Sequence, residues 1–128
     1  MTLAWHFDEG REELADRVFQ LVNDDSAVVP AFWPHEVGNV LLTAERARRK
    51  SEAESAKFLA LLAEMPIAVD LGEPKPFVSV MAVARAHGLS AYDAAYLELA
   101  ARLGLPLASL DKELIRAALD SGVEIVKS

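Results

Sequence analysis

The stretch "GLSAYDAAYLELAARLGLPLASLDKELIRAA", residues 88–118, reads as a helix, a turn, a strand and a second helix. Apolar residues recur with helical spacing over 91–103, and "RLGL" then places a glycine where that helix ends. "LAS" at 107–109 has the composition of a short buried strand, and helical spacing resumes over 111–120. Because helices that alternate with strands build parallel sheets, the segment indicates an α/β fold.

The same alternation extends over the rest of the chain. Further strands are predicted from "AVV" at 27–29, "IAVDL" at 67–71 and "VEIV" at 123–126. Further helices are predicted at 10–23, 34–48, 52–64 and 76–87. We therefore predict one α/β domain over residues 1–128, with a short parallel sheet flanked by helices. Only "MTLAWHF" precedes the first helix, so the first strand of the sheet is expected to be missing.

Composition narrows the class of protein. The 128 residues include no cysteine, which excludes disulfides and thiol nucleophiles and fits a reducing compartment. No apolar run approaches the roughly 20 residues of a membrane span, and the start lacks the pattern of a signal peptide, so we expect a cytoplasmic protein. The net charge of −7 argues against broad adhesion to nucleic acid, although carboxylates gathered around a metal would add to such a deficit.

Asp93 is unusual because it lies on the apolar side of a helix that is built for burial. It shares a face with Leu97 and Ala100, whereas Glu98 faces Arg102 toward solvent. One explanation is a capping box, in which Ser90 caps the helix and the Asp93 carboxylate bonds back to it. The other is a functional site, and from this segment alone the cap is the favoured interpretation.

Three acids are predicted at one edge of the sheet. In a parallel sheet, the carboxyl ends of the strands and the N-termini of the helices packed on them share an edge where ligands bind. Glu36 follows the strand "AVV", Asp111 follows "LAS", and Asp93 opens the helix that leads into "LAS". Each acid alone could cap a helix or complement its dipole. Together they would repel one another unless they are protonated or bridged by a cation. A metal site is the favoured interpretation, and oxygen ligands select Mg²⁺ or Mn²⁺.

Two blocks of sequence resemble a known family. "VVPAFWPHEVGNVLL" at 28–42 and the stretch at 88–118 are similar to PIN-domain proteins of the VapC type, the ribonuclease toxins of bacterial toxin–antitoxin pairs. The resemblance implies that Glu36, Asp93 and Asp111 are catalytic and bind the metal, with Ser109 supporting them. Asn39 continues the helix face below Glu36, where it could support the site or merely bond water.

The family pattern also includes a first acid, in a strand that ends roughly D-x-S-V-x-L-A-W, where this chain has only "MTLAW". By this resemblance the strand and its aspartate are absent. We expect that the start codon is assigned too late, and the alternative is a naturally shortened chain. Asp8 and Glu9 lie beyond Trp5 and are assigned no metal role.

The basic residues, histidines and aromatic residues could each serve a site, but a structural role is favoured for each group. The basic run Arg46, Arg48, Arg49 and Lys50 could contact RNA phosphates, but a solvated helix end is the favoured interpretation. The histidines lack zinc-site spacing and are interpreted as surface or loop residues: His6, His35 and His87. Four aromatic residues could stack on bases but are expected in the core: Phe32, Trp33, Tyr92 and Tyr96.

The resemblance implies a Mg²⁺-dependent endoribonuclease toxin that hydrolyses RNA phosphodiesters. It also implies a cognate antitoxin whose C-terminal segment covers the site, and a homodimer. Without the first acid, cleavage by this chain is expected to be impaired. The alternative is a catalytically deficient binding protein of the same fold, which keeps its dimer and antitoxin surfaces.

Overall fold

The computed structural model describes residues 2–6, 26–71 and 76–126. Four strands are present in these ranges: β1 (Thr2–Trp5), β2 (Ser26–Pro30), β3 (Ile67–Asp70) and β4 (Leu107–Ala108). The helices in the same ranges are α1 (Trp33–Arg46), α2 (Glu52–Ala63), α3 (Pro76–His87), α4 (Ala91–Leu103) and α5 (Lys112–Asp120). The predicted α/β class is confirmed, and the predicted helix at 10–23 lies outside the described residues.

The four strands form one parallel sheet in the order β3-β2-β1-β4. β1 therefore lies in the interior of the sheet, with Leu3 opposite Ala27 of β2 and Ala4 opposite Leu107 of β4. The expectation of a missing first strand is wrong in this respect, because residues 2–5 supply a strand. Leu3 and Ala4 are fully buried, as a strand covered on both faces requires.

The predicted strand at 123–126 is reduced to a single bridge between Ile125 and Leu107. Two backbone hydrogen bonds hold this segment beside β4, from Leu107 N–H to Glu124 O at 2.8 Å and from Val126 N–H to Leu107 O at 2.9 Å. Because β4 itself is only two residues long, it offers too little backbone for a longer ladder.

Local signals fix the helix boundaries. Ser51 and Glu54 form a reciprocal capping box at the start of α2. Ser90 caps α4, and Gly104 ends it in the left-handed conformation, with φ of 66°, which glycine adopts without a steric penalty. Gly88 and Gly122, which follow α3 and α5, also have positive φ. These agreements follow from chemistry that is local in sequence.

The core lies between the sheet and its helices, and α4 contributes most to it. Tyr96, Leu97, Leu99 and Ala100 are each at most 1% exposed. Trp5 of β1 packs on Trp33, the first residue of α1, with ring centroids 5.5 Å apart. In the part of the chain that the structure describes, no helix is both long enough and apolar enough to cross a membrane.

An ion-pair group ties the edge strand β3 to α4. Arg102 donates to Glu98, its neighbour one turn earlier, at 2.7 Å, and also to Asp70 at the end of β3. Their side chains are at most 22% exposed. These hydrogen bonds to two carboxylates raise the pKa of Arg102, against the opposing effect of burial.

Candidate active site

The carboxyl edge is the edge of the sheet at which β1, β2 and β4 end. His6 directly follows β1 there, and its backbone N–H donates to Ala108 O of β4 at 2.9 Å. The residue is 5% exposed, so a surface position is wrong for His6, although it does lie beyond the strand in a segment without regular structure. The residue is buried because the strand in front of it lies in the sheet interior.

Both ring nitrogens of His6 have partners at this edge. Nε2 lies 3.2 Å from Oδ1 of Asp93, and Nδ1 lies 2.9 Å from Oγ of Ser109. An ionised carboxylate can only accept, so Nε2 carries the hydrogen that it shares with Asp93. The hydrogen bond from His6 is the main reason that the pKa of Asp93 is lowered, against desolvation, which raises it.

The capping interpretation of Asp93 is half right. The Ser90 hydroxyl accepts from the Asp93 N–H at 3.1 Å, so Ser90 is the N-cap of α4. The return bond from the Asp93 carboxylate to the Ser90 N–H, which would complete a capping box, is not among the hydrogen bonds of the described residues. The carboxylate is instead directed to His6. Asp93 therefore serves the carboxyl edge as well as the helix start.

Ser109 and Asp111 form the β4 side of the edge. Ser109 is 1% exposed, and its Oγ accepts from the Asp111 N–H at 3.1 Å. Asp111 is the N-cap of α5, because its Oδ1 accepts from the Leu114 N–H at 2.9 Å. A continuous series of hydrogen bonds thus links Asp111, Ser109, His6 and Asp93.

Glu36 lies on the β2 side of the edge, in the first turn of α1. The buried hydroxyl of Tyr96, from α4, donates to Oε1 of Glu36. The Tyr96 ring also meets the His6 ring edge to face, with centroids 4.7 Å apart. Tyr96 therefore contacts both Glu36 and His6, which links the β2 side of the edge to the end of β1.

Ser109, His6 and Asp93 are the residue types of a hydrolase triad, but the serine is not accessible to a substrate. A nucleophilic serine must present Oγ to a substrate carbonyl beside donors that stabilise an oxyanion. Ser109 is almost fully buried, and its Oγ is bonded both to the His6 ring and to the Asp111 N–H. The arrangement orders the edge and does not expose a nucleophile.

Comparison with known proteins decides the family. A family model described as "PIN domain" matches residues 2–119. The chain belongs to the PIN domain family. A search of the curated proteins finds no match. Among solved structures, the crystal structure of PAE2754 from Pyrobaculum aerophilum is similar, with a TM-score of 0.72 and 24% identity over 91% of this chain and 84% of that one. At this identity the likeness shows a shared fold.

PIN domains are generally nucleases and typically use divalent metals. The described residues of this PIN domain do not fit a ligand set as they are arranged. No group of three or more His, Asp or Glu side chains that could hold a metal ion exists within the described ranges. Glu36 is engaged by Tyr96, Asp93 by His6, and Asp111 by the α5 backbone. The acids share an edge, but each is bonded to a protein group.

Asn39 and the basic run do not join this arrangement. Asn39 is exposed one turn after Glu36, and its side chain makes no hydrogen bond among the described residues. Arg46 ends α1, about 15 Å along the axis from Glu36. Arg48 and Arg49 are exposed beyond it, and Lys50 lies 5.8 Å from the Phe58 ring. The basic run thus lies at the far end of α1 from the acids.

Tyr92 is the exception among the aromatic residues that were expected in the core. Tyr96 is fully buried and Trp33 is 7% exposed, whereas Tyr92 is 61% exposed. It precedes Asp93 and packs edge to face on Phe32, with centroids 5.1 Å apart. Tyr92 therefore presents an aromatic surface to solvent beside the carboxyl edge.

Sequence reasoning missed two residues of this edge. The rule that gathered the acids, position just after a parallel strand, also applies to His6, but "TLAW" was not recognised as a strand. Tyr96 was assigned to the core, where it lies, but its hydroxyl contact with Glu36 spans 60 positions and carries no local signal.

Proposed function

We propose that this PIN domain acts on RNA as a VapC-type toxin, whose carboxyl edge is a phosphodiester-cleaving site of low activity in the arrangement described. The observation that supports the proposal is the grouping of Glu36, Asp93 and Asp111 at one edge around His6 and Tyr96. Acids at the ligand-binding edge of a parallel sheet are what phosphoryl chemistry with a divalent ion requires.

Mg²⁺ or Mn²⁺ as cofactor stays a prediction. The three carboxylates are the ligands that the family resemblance implies, and their oxygens suit either ion. In the described arrangement each of them is bonded to a protein group, so we expect weak affinity and slow cleavage. At this edge the chain itself supplies three hydrogen-bonded acids, the buried imidazole of His6 and the exposed ring of Tyr92.

RNA recognition in an acidic protein must be local. With a net charge of −7, the chain cannot rely on general attraction to phosphates. Tyr92 offers a face for base stacking next to Asp93, which contributes about 1–3 kcal/mol per base in other single-strand binders. The basic run at the far end of α1 could contact a longer RNA, but a solvated helix end remains the plainer explanation for it.

A cleavage assay tests this proposal. Single-stranded RNA is incubated with the chain in Mg²⁺ or Mn²⁺, with EDTA, and with the double variant Asp93→Asn with Asp111→Asn. Slow cleavage that both EDTA and the double variant abolish is the expected result. Cleavage that survives both treatments would show that the activity does not come from this edge. The exposed pair Glu113→Gln with Asp120→Asn, on α5, is the matched control.

A second candidate is a PIN-fold binding protein without catalysis. It is favoured by the finding that no metal-holding group of three occurs in the described ranges. RNA or antitoxin binding that persists in the double variant, with no cleavage in any metal, is the outcome that selects it.

The proposed protein partners are an antitoxin and a second copy of the chain, in the cytoplasm. An inserted Arg or Lys of the antitoxin would complement the acids of the carboxyl edge. Large apolar side chains on α2 and α3 are exposed, which supports a protein-covered surface: Leu59, Leu61, Val78 and Met81. Co-purification from the native operon tests the antitoxin, and light scattering tests for a mass twice the 13.9 kDa of the chain.

A further inference from the structure

His6 is a buried polar residue that the proposed chemistry does not need. Three buried polar or charged residues are found in the described ranges: His6, Ser55 and Ser109. Ser55 lies on α2, away from the carboxyl edge, and Ser109 is bonded to His6 itself. A buried imidazole with both nitrogens engaged between two elements fixes those elements together, so its effect on the edge can be deduced from its bonds.

The His6 ring is held on three sides. Asp93 receives the Nε2 hydrogen, Ser109 meets Nδ1, and the Tyr96 ring packs against the imidazole edge to face. The His6 backbone is also bonded to β4 through Ala108 O. The ring therefore cannot rotate away from Asp93 without losing the Ser109 bond and the Tyr96 contact together.

A divalent ion at this edge would compete with these bonds. Mg²⁺ and Mn²⁺ bind through carboxylate oxygens. Oδ1 of Asp93 already accepts a hydrogen bond from Nε2 of His6. Because Nε2 carries that hydrogen, it has no lone pair to offer as a replacement ligand. An ion that takes Oδ1 of Asp93 would thus compete with the His6 bond and would gain no imidazole ligand in return.

We propose that His6 weakens divalent-ion binding at the carboxyl edge by occupying Oδ1 of Asp93, an effect called cation exclusion below, so that residue 6 sets how tightly this PIN domain binds metal. A carboxylate at this position would remove the donor and add a ligand beside Asp93, which reverses both effects. Taking this edge as the site rests on the proposed function, but cation exclusion is measured by binding and stands or falls separately from RNA cleavage.

The chain as it exists provides the first test. Its three histidines, His6, His35 and His87, serve as probes in a proton NMR titration with Mn²⁺, which broadens signals near a bound ion. We expect the His6 ring signals to stay as sharp as those of His87, whose ring contacts Ser121 at the end of α5. Selective broadening of His6 at substoichiometric Mn²⁺ would place an ion beside it and overturn the proposal.

The second test changes residue 6. Calorimetry with Mn²⁺ is expected to show affinity at least about 10-fold higher for His6→Asp than for the wild type, because the variant gains a carboxylate ligand and its negative charge. The gain should disappear in His6→Asp with Asp93→Asn, and His87→Asp is the matched control that adds a carboxylate elsewhere. Equal affinity of the wild type and a folded His6→Asp variant would overturn the proposal.

Circular dichroism decides whether His6→Asp is folded. If it is not, His6→Ser removes the donor from Asp93 with a small polar residue, and its Mn²⁺ affinity should also exceed that of the wild type. A folded His6→Ser variant without any gain would equally overturn the proposal. Should Mn²⁺ bind to a variant that still fails to cleave RNA, cation exclusion would stand and the proposed function would fail.

Discussion

The buried hydroxyl of Tyr96 donates a hydrogen bond to the carboxylate of Glu36, joining α4 to the first turn of α1 at the carboxyl edge. Tyr96, a core residue, thus orients the carboxylate of Glu36, an acid of the candidate site. Since the Tyr96 ring also packs on His6, one side chain determines how two sides of the edge meet.

Tyr96→Phe should therefore destabilise the protein by about 1.5–3 kcal/mol, because a hydrogen bond to a charged group is lost at a buried position. Urea unfolding measures the free energy. Tyr92→Phe is the matched control, since the Tyr92 ring is 61% exposed, and a change below about 0.5 kcal/mol is expected there. Equal losses in the two variants would mean that the Tyr96–Glu36 bond contributes nothing.

Arg102→Ala should cost more stability than removal of an exposed arginine. It leaves Asp70 and Glu98 partly buried beside each other without their shared cation, and a loss of about 1–3 kcal/mol is expected. Arg116→Ala breaks the exposed pair with Glu113 and should change unfolding by less than about 0.5 kcal/mol. Thermal and urea unfolding of both variants measure the two losses. Equal losses would mean that solvent screens the Arg102 ion pairs as fully as it screens the exposed Arg116–Glu113 pair.

Arg48→Gly is expected to stabilise the protein. Arg48 has φ of 59°, a left-handed conformation that costs a residue with a Cβ about 1–2 kcal/mol. Glycine avoids this cost but loses about 0.5–1 kcal/mol through chain entropy, so a net gain of about 0.5–1 kcal/mol is expected. Arg48→Ala removes the same charge and keeps the Cβ, so a gain of the same size in that variant would refute the backbone explanation.

Asp93 should make stability depend on pH on the acid side. Because the hydrogen bond from His6 lowers its folded pKa, the carboxylate stabilises the fold above the ordinary Asp range and loses that effect as pH falls through the lowered pKa. The difference in unfolding free energy between wild type and Asp93→Asn should accordingly shrink in acid. Asp120→Asn, at the exposed end of α5, is the control. A difference that is constant or grows as pH falls would contradict the lowered pKa.

Helices were the part of the fold most open to prediction, because their signals are local. The periodicity over 52–64, the capping serine at 90 and the glycine after 103 lead to the described helices within one or two residues. Strands were harder. "TLAW" is too short to show a period, and its place in the sheet interior depends on β2 and β4. "VEIV" has strand composition but finds only Leu107 as a partner.

The acids of the candidate site could be assigned to one edge from strand ends and helix starts alone. Their hydrogen-bond partners could not, because the bonds of Asp93 to His6 and of Glu36 to Tyr96 join residues 87 and 60 positions apart. Those partners change the chemical expectation, since an acid already bonded to a protein donor is a poorer metal ligand.

Cleavage of single-stranded RNA in Mn²⁺ by the wild type, His6→Asp and His6→Asp with Asp93→Asn tests most directly whether the carboxyl edge is a nuclease site. We predict slow cleavage by the wild type, cleavage at least about 10-fold faster by His6→Asp, and loss of that activity when Asp93→Asn is added. A folded His6→Asp variant that binds Mn²⁺ and leaves RNA intact, or equal cleavage with and without Asp93→Asn, would contradict it.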